Sequence, residues 1–299
     1  MLNIKIIFIL ILCLFTHCSK DSNNPLDDDF QPLFKNSLNF QGSDETLDVV
    51  TWNLQEFPLN NNGSTSSYVL EIIDSLNVDI IALQEIIDED VFNNLLVILE
   101  DKNWEGFRSG DENSDDMELA YLINTNEVTI LEYPKEILSS VDFIREPFEI
   151  TIDFQNHDIT LINVHYKSEY NGNFSEIRKD ANEKLYHYLN DSPGDNIIVL
   201  GDFNDSLDDS QNNIFNMFIN DPYYAFADTH IAEGPIENWS YPTLSHLDHI
   251  LITNALFDFT NEENTQTILL RNNTYTYDGV YDNNVSDHLP VGMKILFNP

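Results

Sequence analysis

From Leu47 onward, short runs rich in Val and Ile alternate with amphipathic stretches of helical period. Apolar side chains at successive positions are typical of strands that are covered on both faces. This alternation predicts β-sheets enclosed by helices. The predicted strands are 47–52, 78–83, 118–123, 159–164, 196–201, 247–252 and 291–297, and the predicted helices are 67–76, 90–100 and 175–190.

Two local patterns add detail to this prediction. The run 148–154 precedes the strand 159–164, which indicates an antiparallel hairpin with its turn at Asn-His-Asp. The last predicted helix places Ile177, Ala181, Leu185 and Leu189 on one face. Since 42% of the 299 residues are hydrophobic, the chain can bury a large core. The simplest interpretation is an α/β sandwich in a single domain.

The charge of the chain restricts its partners. Thirteen Lys and Arg against 52 Asp and Glu give a formal net charge of −39. A broad basic surface for nucleic acid is therefore excluded. A polyanionic substrate must be met by a few basic side chains or by bound divalent cations. A salty habitat or a need for solubility would explain the acidity equally well.

The N-terminal segment predicts export. An apolar run at 6–15 is too short to span a bilayer and fits the hydrophobic region of a secretory signal. The segment LFTHCSKDS resembles a bacterial lipoprotein signal, which implies a lipid on Cys18 and anchorage to a bacterial membrane, with exposure at the cell surface as one arrangement. The alternatives are a plain signal peptide or an uncleaved anchor. We expect a signal at 1–17, a flexible acidic tether at 18–46 and the folded domain at 47–299.

Polar side chains follow or precede the predicted strands at corresponding points. Each one alone is typical of a cap or a turn, but several at strand ends predict a site where loops converge on a rigid sheet. These residues are Asn53, Glu85, His165, Asp202, Asn204, Asp248, Asp287 and His288.

These residue types fit one chemistry. The carboxylate and amide oxygens are hard ligands, which suit Mg²⁺ or Mn²⁺. His165 and His288 can carry protons near neutral pH. Metal-assisted hydrolysis of a phosphate ester needs both components. The sequence contains no P-loop, GxGxxG or GxSxG motif, which disfavours nucleotide-driven motors, dinucleotide oxidoreductases and esterases with a nucleophile elbow.

Six segments resemble the endonuclease/exonuclease/phosphatase superfamily, also called DNase I-like, in the order found in that family. They are TWNLQEF (51–57), IALQEI (81–86), LINVHYKS (161–168), VLGDFND (199–205), SHLDHILIT (245–253) and SDHLP (286–290). The resemblance implies a four-layer α/β sandwich of two mixed sheets flanked by helices. FADTHIAEG and NWSYPTLSHLDHILIT are most similar to bacterial secreted or lipoprotein members described as endonucleases.

The resemblance also implies residue roles. Asn53, Glu85 and Asp287 would bind the metal, while Asp202 and Asn204 would orient the attacking water or contact phosphate. His165 and His288 would form the acid–base pair, as in DNase-like members rather than in abasic-site endonucleases, which have Tyr at the first position. The partners that orient these histidines would be Glu118 for His165 and Asp248 for His288.

The chain has only 13 Lys and Arg, and three of them are candidates for binding the phosphate of a substrate. Lys167, two positions after His165, faces the same way in an extended chain and is a candidate phosphate ligand or a surface ion-pair partner. Arg108 and Arg178 are further candidates, with a loop anchor and a surface residue as the respective alternatives. The run DSLDDS (205–210) could hold a structural Ca²⁺ or be a solvated loop.

Three functional hypotheses remain from the sequence. The leading one is a Mg²⁺-dependent phosphodiesterase that cleaves nucleic acid outside the cytoplasm. The alternative is a phosphatase or phosphodiesterase with a small sugar- or lipid-phosphate substrate, which the acidity favours. The third is a binding protein on an inactive enzyme scaffold, although every motif position is filled. The sequence indicates no obligate protein partner.

Overall fold

The computed structural model describes residues 33–34, 38–61, 63–110, 117–139, 143, 145–169, 174–191, 194–209, 213–242, 244–271 and 279–297. Cys18, the predicted signal and most of the predicted tether lie outside these ranges. Within them, no helix combines the length and apolar character needed to cross a bilayer.

Two six-stranded mixed sheets form the centre of the structure. The first has the order β11-β12-β1-β2-β4-β3 and the second β5-β6-β7-β8-β10-β9. The strands are β1 Leu47–Phe57, β2 Ile80–Ile86, β3 Trp104–Arg108, β4 Glu118–Asn124, β5 Thr129–Glu136, β6 Phe148–Phe154, β7 His157–His165, β8 Ile197–Asp202, β9 Tyr224–Phe226, β10 Asp248–Thr253, β11 Thr265–Thr267 and β12 Val291–Ile295. The helices are α1 Ser64–Leu76, α2 Glu89–Glu100, α3 Ser175–Asp191, α4 Asn216–Ile219, α5 Thr229–Ala232 and α6 Val280–Asn284, with 3-10 turns at Ile236–Asn238, Asn254–Phe259 and Glu262–Asn264.

The predicted α/β sandwich is confirmed, including its four layers. Successive residues of a strand point to opposite faces, so Val49 enters the core between the sheets while Val50 packs under α1 and α2. In the second sheet, Leu161 faces the shared core and Ile162 packs under α3. This double burial is the reason that the central strands have continuous apolar runs.

The three predicted helices are present with small shifts at their ends. Helix α2 begins at an N-cap, where the Asp88 side chain accepts a hydrogen bond from the Val91 amide at 2.9 Å. Helix α3 buries Ala181, Leu185 and Leu189, as its apolar spacing predicts. The same face also buries Arg178, whose hydrogen-bond partners are described below.

The strands that the sequence did not reveal lie at or next to sheet edges. Strand β5 has the sequence TILEYPKE and is mostly exposed, while β9 and β11 have only three residues each. The predicted hairpin is correct, but its turn is Gln155-Asn156 rather than Asn-His-Asp. Phe154 pairs with His157, and both turn residues have positive φ, at 52° and 67°. Such angles are required by a two-residue hairpin loop.

The expected start of the folded body at residue 47 is wrong. Phe34 and Phe40 belong to the core under α1, and the ring of Phe40 lies so close to Gly292 that a Cβ there would meet it at 2.8 Å. The Gly42 amide donates to the Leu76 carbonyl at 2.8 Å. Part of the acidic segment is therefore packed, because its aromatic residues cover apolar surface left open by the strands.

The topology explains why polar strand-end residues meet. Strands β1 and β2 are parallel, as are β7 and β8, so the carboxyl ends of these pairs lie at one edge of each sheet. Strand β10 runs antiparallel to β8 and pairs Asp248 with Asp202, whereas β12 runs antiparallel to β1 and begins just after His288. Residues at the ends of β1, β2, β7 and β8 thus meet residues at the starts of β10 and β12.

Candidate active site

An open cleft of about 1030 Å³ lies where these edges of the two sheets meet. Residues from both sheets line it, together with the loops that follow β7 and β8 and the segments that precede β10 and β12. Of the residues singled out by sequence, those lining the cleft are Glu85, His165, Lys167, Arg178, Asp202, Asn204, Asp287 and His288.

Asn53 lies at the junction of the two sheets, buried beneath the cleft. Its Nδ2 donates to Glu85 Oε1 at 3.1 Å and to Asp202 Oδ2 at 3.0 Å, while its Oδ1 accepts the Gln55 amide at 2.9 Å. Ser286 Oγ donates to its carbonyl oxygen at 2.6 Å. One amide side chain therefore sets the spacing of two carboxylates that belong to different sheets.

Backbone strain concentrates around these residues. Glu85 has φ of 64°, Gln55 43°, Glu56 52° and Asn204 51°. Residues other than glycine rarely adopt this left-handed region, and such positions cluster at functional sites. In this conformation two backbone amides reach carboxylates of the site and fix their orientation. The Glu56 amide donates to Glu85 Oε2 at 2.9 Å, and the Asn204 amide donates to Asp202 Oδ1 at 2.8 Å.

His288 and Asp248 form a buried pair. His288 Nδ1 donates to Asp248 Oδ2 at 2.8 Å, so Nε2 faces the cleft, 4.0 Å from Asp202 Oδ2. The ring of Tyr241 packs on the imidazole with centroids 4.8 Å apart. Burial alone lowers the pKa of His288, but the carboxylates of Asp248, Asp202 and Asp287 raise it to about 10. The expected contact between Asp248 and His288 is present.

His165 is also buried but is held differently. Its Nε2 lies 3.7 Å from both Glu85 Oε1 and Asp202 Oδ2, and its Nδ1 has no hydrogen-bond partner among the described residues. Burial, followed by the charge of Arg145, lowers its pKa well below the usual value. The expectation that Glu118 orients His165 is wrong for this structure, because Glu118 Oε2 accepts Ser109 Oγ at 2.8 Å instead.

The site is rich in negative charge. Burial and the neighbouring Asp248 raise the pKa of Asp202 to about 7. Within the described part of the chain, only histidines form ion pairs with Glu85, Asp202 and Asp248. Asp287 lines the same cleft, and its backbone amide donates a hydrogen bond to Gln55 Oε1 at 3.0 Å, which fixes its position. Convergent carboxylates without a Lys or Arg partner fit a divalent cation bound through oxygen.

One set of atoms beside the cleft has the spacing of metal ligands. One ligand atom each from Asp202, Asp248 and His288 lies within 4.8 Å of the others. Asp248 Oδ2 and His288 Nδ1 already hydrogen bond to each other, so this set is better described as a His–Asp pair beside Asp202. The oxygen donors of Glu85 and Asp287, with Asn53 behind them, are the better candidates for holding Mg²⁺ or Mn²⁺.

Of the three basic candidates, Lys167 lies in the cleft and has no ion pair or hydrogen bond from its ammonium group to any residue of the described ranges. This ammonium group lies 5.0 Å from the Phe174 ring. Arg178 is buried and is bound by protein groups: Asp205 at 2.9 Å, Glu169 at 2.9 Å and the Lys167 carbonyl at 3.0 Å. Neither the phosphate role nor the alternative of a surface residue therefore fits Arg178.

Arg108 lies elsewhere. It lines a separate cavity of about 520 Å³ and donates to the carbonyls of Ile86 and Ile87, which makes it a loop anchor. The sequence leaves the run 205–210 open as a Ca²⁺ loop or a solvated loop, and the structure describes 205–209 of it. The carboxylate of Asp205 is taken by Arg178 and by the Ser206 amide, because the loop is folded back onto α3.

Among the cleft residues that sequence analysis did not select are Gln55, Arg145 and Tyr241. Gln55 lies two positions after Asn53, so the alternation of β1 was a usable signal for it. Tyr241 and Arg145 lie in irregular segments, where no periodic pattern marks them. Arg145 adds a positive charge close enough to lower the pKa of His165.

Comparisons with known proteins agree with this geometry. A sequence profile described as "Endonuclease/Exonuclease/phosphatase family" matches residues 50–288. A comparison with curated protein sequences found no match. Many solved structures are similar, and three of them are described next.

D. rerio TDP2 in complex with a single-strand DNA product has a TM-score of 0.62 at 14% identity, covering 83% of this chain and 98% of that one. The human Nocturnin catalytic domain with bound sulfate has a TM-score of 0.61 at 16% identity, covering 86% and 96%. An endonuclease/exonuclease/phosphatase family protein from Bacteroides thetaiotaomicron has a TM-score of 0.61 at 17% identity, covering 85% and 98%. At these identities the similarity concerns the fold.

Proposed function

Because the chain belongs to the endonuclease/exonuclease/phosphatase family, we propose that it is a metal-dependent phosphodiesterase that hydrolyses nucleic acid outside the cytoplasm. The observation that carries the proposal is the meeting of Glu85 and Asp202 on Asn53, next to the His288–Asp248 pair, in one open cleft. The family assignment supports phosphoester hydrolysis. The single-strand DNA product bound by D. rerio TDP2 supports a nucleic acid substrate.

In the proposed mechanism, Glu85 and Asp287 hold the divalent cation, with Asn53 fixing the position of Glu85. When bound, that cation neutralises charge on the phosphate oxygens. Asp202 and Asn204 orient a water molecule beside the phosphorus. As its oxygen attacks, one of the imidazoles of His165 and His288 accepts the proton of the water. The other donates a proton to the leaving oxygen as the phosphorus–oxygen bond breaks.

One observation favours the alternative of a small phosphate ester. Glu56, Glu169, Asp208 and Asp209 line the cleft, and a long polyanion would be repelled there unless divalent cations were bound. A small ester can reach the metal without contacting this acidic rim. The substrate panel below therefore includes both classes.

The test uses the chain without its first 17 residues, carrying Cys18→Ser so that no lipid can be attached. We would supply single-strand DNA, supercoiled plasmid, RNA and a panel of small phosphate esters with Mg²⁺, Mn²⁺ or EDTA. Metal-dependent cleavage of nucleic acid that disappears in His288→Ala is the expected result. His187→Ala is the matched control, because His187 is exposed on α3. Cleavage of small esters alone would replace the proposal by the alternative.

We further propose that the protein is exported and anchored to a bacterial membrane by a lipid on Cys18. The sequence LFTHCSKDS and the apolar run at 6–15 support this proposal. The full chain and its Cys18→Ser variant should be compared by metabolic labelling with a fatty acid and by detergent phase partitioning. Equal labelling and equal partitioning of the two proteins would exclude the anchor.

A further inference from the structure

A second buried polar cluster lies behind the cleft, on the far face of β10. Asp248 points toward the cleft, so the next residue, His249, points to the opposite side of the sheet. There it meets Asp228 and His246, and all three side chains are fully buried. Buried polar groups of this kind must satisfy one another, and the pattern of their contacts reveals their protonation.

Both ring nitrogens of His249 face acceptors. Nδ1 lies 2.6 Å from Asp228 Oδ2, and Nε2 lies 2.9 Å from the Asp205 carbonyl oxygen. A carbonyl oxygen can only accept, so Nε2 must carry a hydrogen. An ionised carboxylate can also only accept, so Nδ1 must carry one as well. The ring that satisfies both contacts is the imidazolium cation.

The surroundings of Asp228 support its ionised state. Its Oδ1 accepts the Ile250 amide at 2.8 Å, and its Oδ2 accepts His246 Nε2 at 3.0 Å in addition to His249. Burial raises the pKa of Asp228, but the charges and hydrogen bonds of the two histidines outweigh it and hold the pKa well below its usual range. The carboxylate thus accepts from three donors and has no proton to give.

His246 is neutral by the same reasoning. Its Nδ1 faces the Ser240 amide at 3.0 Å and must accept, so its single hydrogen is on Nε2, where it points at Asp228. This tautomer also argues against a metal ion in the cluster. A metal would need the lone pair of Nε2, which would leave a hydrogen on Nδ1 directed at the Ser240 N–H.

Aromatic rings enclose His249. The centroids of Phe203, Phe215 and Phe226 lie 5.8, 5.6 and 5.8 Å from its own. A ring attracts a cation that lies over its face within about 6 Å of the centroid, and all three centroid distances fall within that limit. The other charged or titratable groups near it are Asp228, His246 and Asp248, and the two carboxylates raise its pKa against the effect of burial.

His249 does not line the cleft itself but contacts it indirectly, through its hydrogen bond to Asp205. Asp205 ends the short segment from Asp202 that includes Asn204 in its left-handed conformation. His249 holds the Asp205 carbonyl oxygen from one side, and Arg178 holds the Asp205 carboxylate from the other. Two buried cationic side chains, those of His249 and Arg178, therefore hydrogen bond to the segment that carries Asp202 and Asn204.

We propose that His249 is a permanently protonated positioning residue, whose buried positive charge holds the Asp202–Asp205 segment in its working geometry. The charge state of His249 follows from these contacts together with the ionised state of Asp228. Its effect on catalysis rests on the proposed function.

The charge state is tested by nuclear magnetic resonance of the uniformly ¹⁵N-labelled protein. The imidazole resonances of His249 are identified by their loss in His249→Gln. We expect both nitrogens of His249 to carry hydrogen from pH 6 to pH 9, while His246 stays neutral with its hydrogen on Nε2. A neutral His249 anywhere in that range would overturn the proposal. This measurement needs no substrate, so it stands even if the proposed activity is not found.

The positioning role is tested by kinetics on His249→Gln. Loss of a residue that orients active-site groups costs about 10- to 100-fold in activity, which we expect in kcat with KM changed by less than about threefold. The control is His230→Gln, since His230 lies outside the cleft and its hydrogen bond within the described ranges is to the Thr265 carbonyl oxygen. A folded His249→Gln protein with the parent kcat would refute the positioning role. If that variant does not fold, the His249 resonances are assigned in the parent protein by the short proton–proton distances from its ring to Phe203, Phe215 and Phe226, and the parent spectrum then decides the charge state.

Discussion

Replacing Asp248 by asparagine should abolish most catalysis without disturbing the fold. Asp248 Oδ2 accepts the Nδ1 hydrogen of His288 at 2.8 Å, which leaves Nε2 directed into the cleft. An amide of the same shape can present its N–H to Nδ1 instead. The imidazole would then carry its hydrogen on Nε2, the tautomer opposite to the one that Asp248 selects.

The structure sets the size of this effect. The hydrogen bond is charge-assisted and fully buried, and the Asp248 backbone is held in place by Ser240 Oγ, so the residue cannot move away. Loss of a correctly oriented proton carrier costs about 10²–10⁴ in rate. This range corresponds to about 3 to 5 kcal/mol in the activation barrier. The change removes both this hydrogen bond and the repulsion between Asp248 and the buried Asp202, so its two effects on stability oppose each other.

The assay compares kcat of the parent and the Asp248→Asn protein at saturating metal, on the substrate identified by the panel above. Asp158→Asn is the matched control, since Asp158 is exposed on β7 at the opposite end from the cleft. Thermal melting of each protein shows whether the fold is kept. A folded Asp248→Asn protein with kcat within threefold of the parent would refute the role assigned to the His288–Asp248 pair.

Three further predictions concern metal binding, a buried ion pair and pH. Glu85→Gln should raise the Mg²⁺ concentration for half-maximal activity by about tenfold or more, measured by metal titration, since it removes a charged oxygen ligand; an unchanged midpoint would exclude Glu85 as a ligand. Arg178→Met should lower the free energy of unfolding by about 3–5 kcal/mol in urea denaturation, because it leaves the carboxylate of Asp205 without its buried partner; a loss below 1 kcal/mol would contradict the buried pairing. Burial raises the pKa of Asp79 to about 8, so the folded protein holds this proton more tightly than the unfolded chain and loses stability as pH rises from about 4 to 8. Asp79→Asn keeps an acceptor for the Asp48 amide and removes that loss, so its melting temperature should exceed that of the parent by more at pH 8 than at pH 5; a constant difference would show that Asp79 does not titrate in this window.

Much of the fold could be predicted because its central strands are buried on both faces. Continuous apolar runs such as those of β1 and β7 follow directly from that environment, and they are visible in sequence. The edge strand β5 could not be predicted, since it contains Pro134 and exposed charged side chains, and its pairing with β6 decides its conformation. The packing of Phe40 on Gly292 was equally hidden, because the two residues are far apart in the chain.

The candidate site shows the same division. Asn53, Glu85, His165 and Asp202 could be selected from the sequence because each is a polar residue at the end of a predicted strand. The strand topology then brings them together. Arg145 and Tyr241 could not be selected in this way, because they lie in irregular segments that line the cleft. The structure does not show the role expected for Glu118 or the phosphate roles considered for Arg108 and Arg178, because each side chain bonds another protein group, and for Arg108 this agrees with the alternative of a loop anchor.

The sequence by itself determined which chemistry is available: hard oxygen ligands and two histidines at strand ends, in a chain with few cations. Only the tertiary structure decided which groups touch and which are charged. His249 looks like any other histidine of a strand in the sequence, but its two buried acceptors require a cation. The physical reason is that protonation and hydrogen bonding depend on contacts within about 3 Å, and residues as distant in the chain as 205, 228 and 249 make those contacts only after folding.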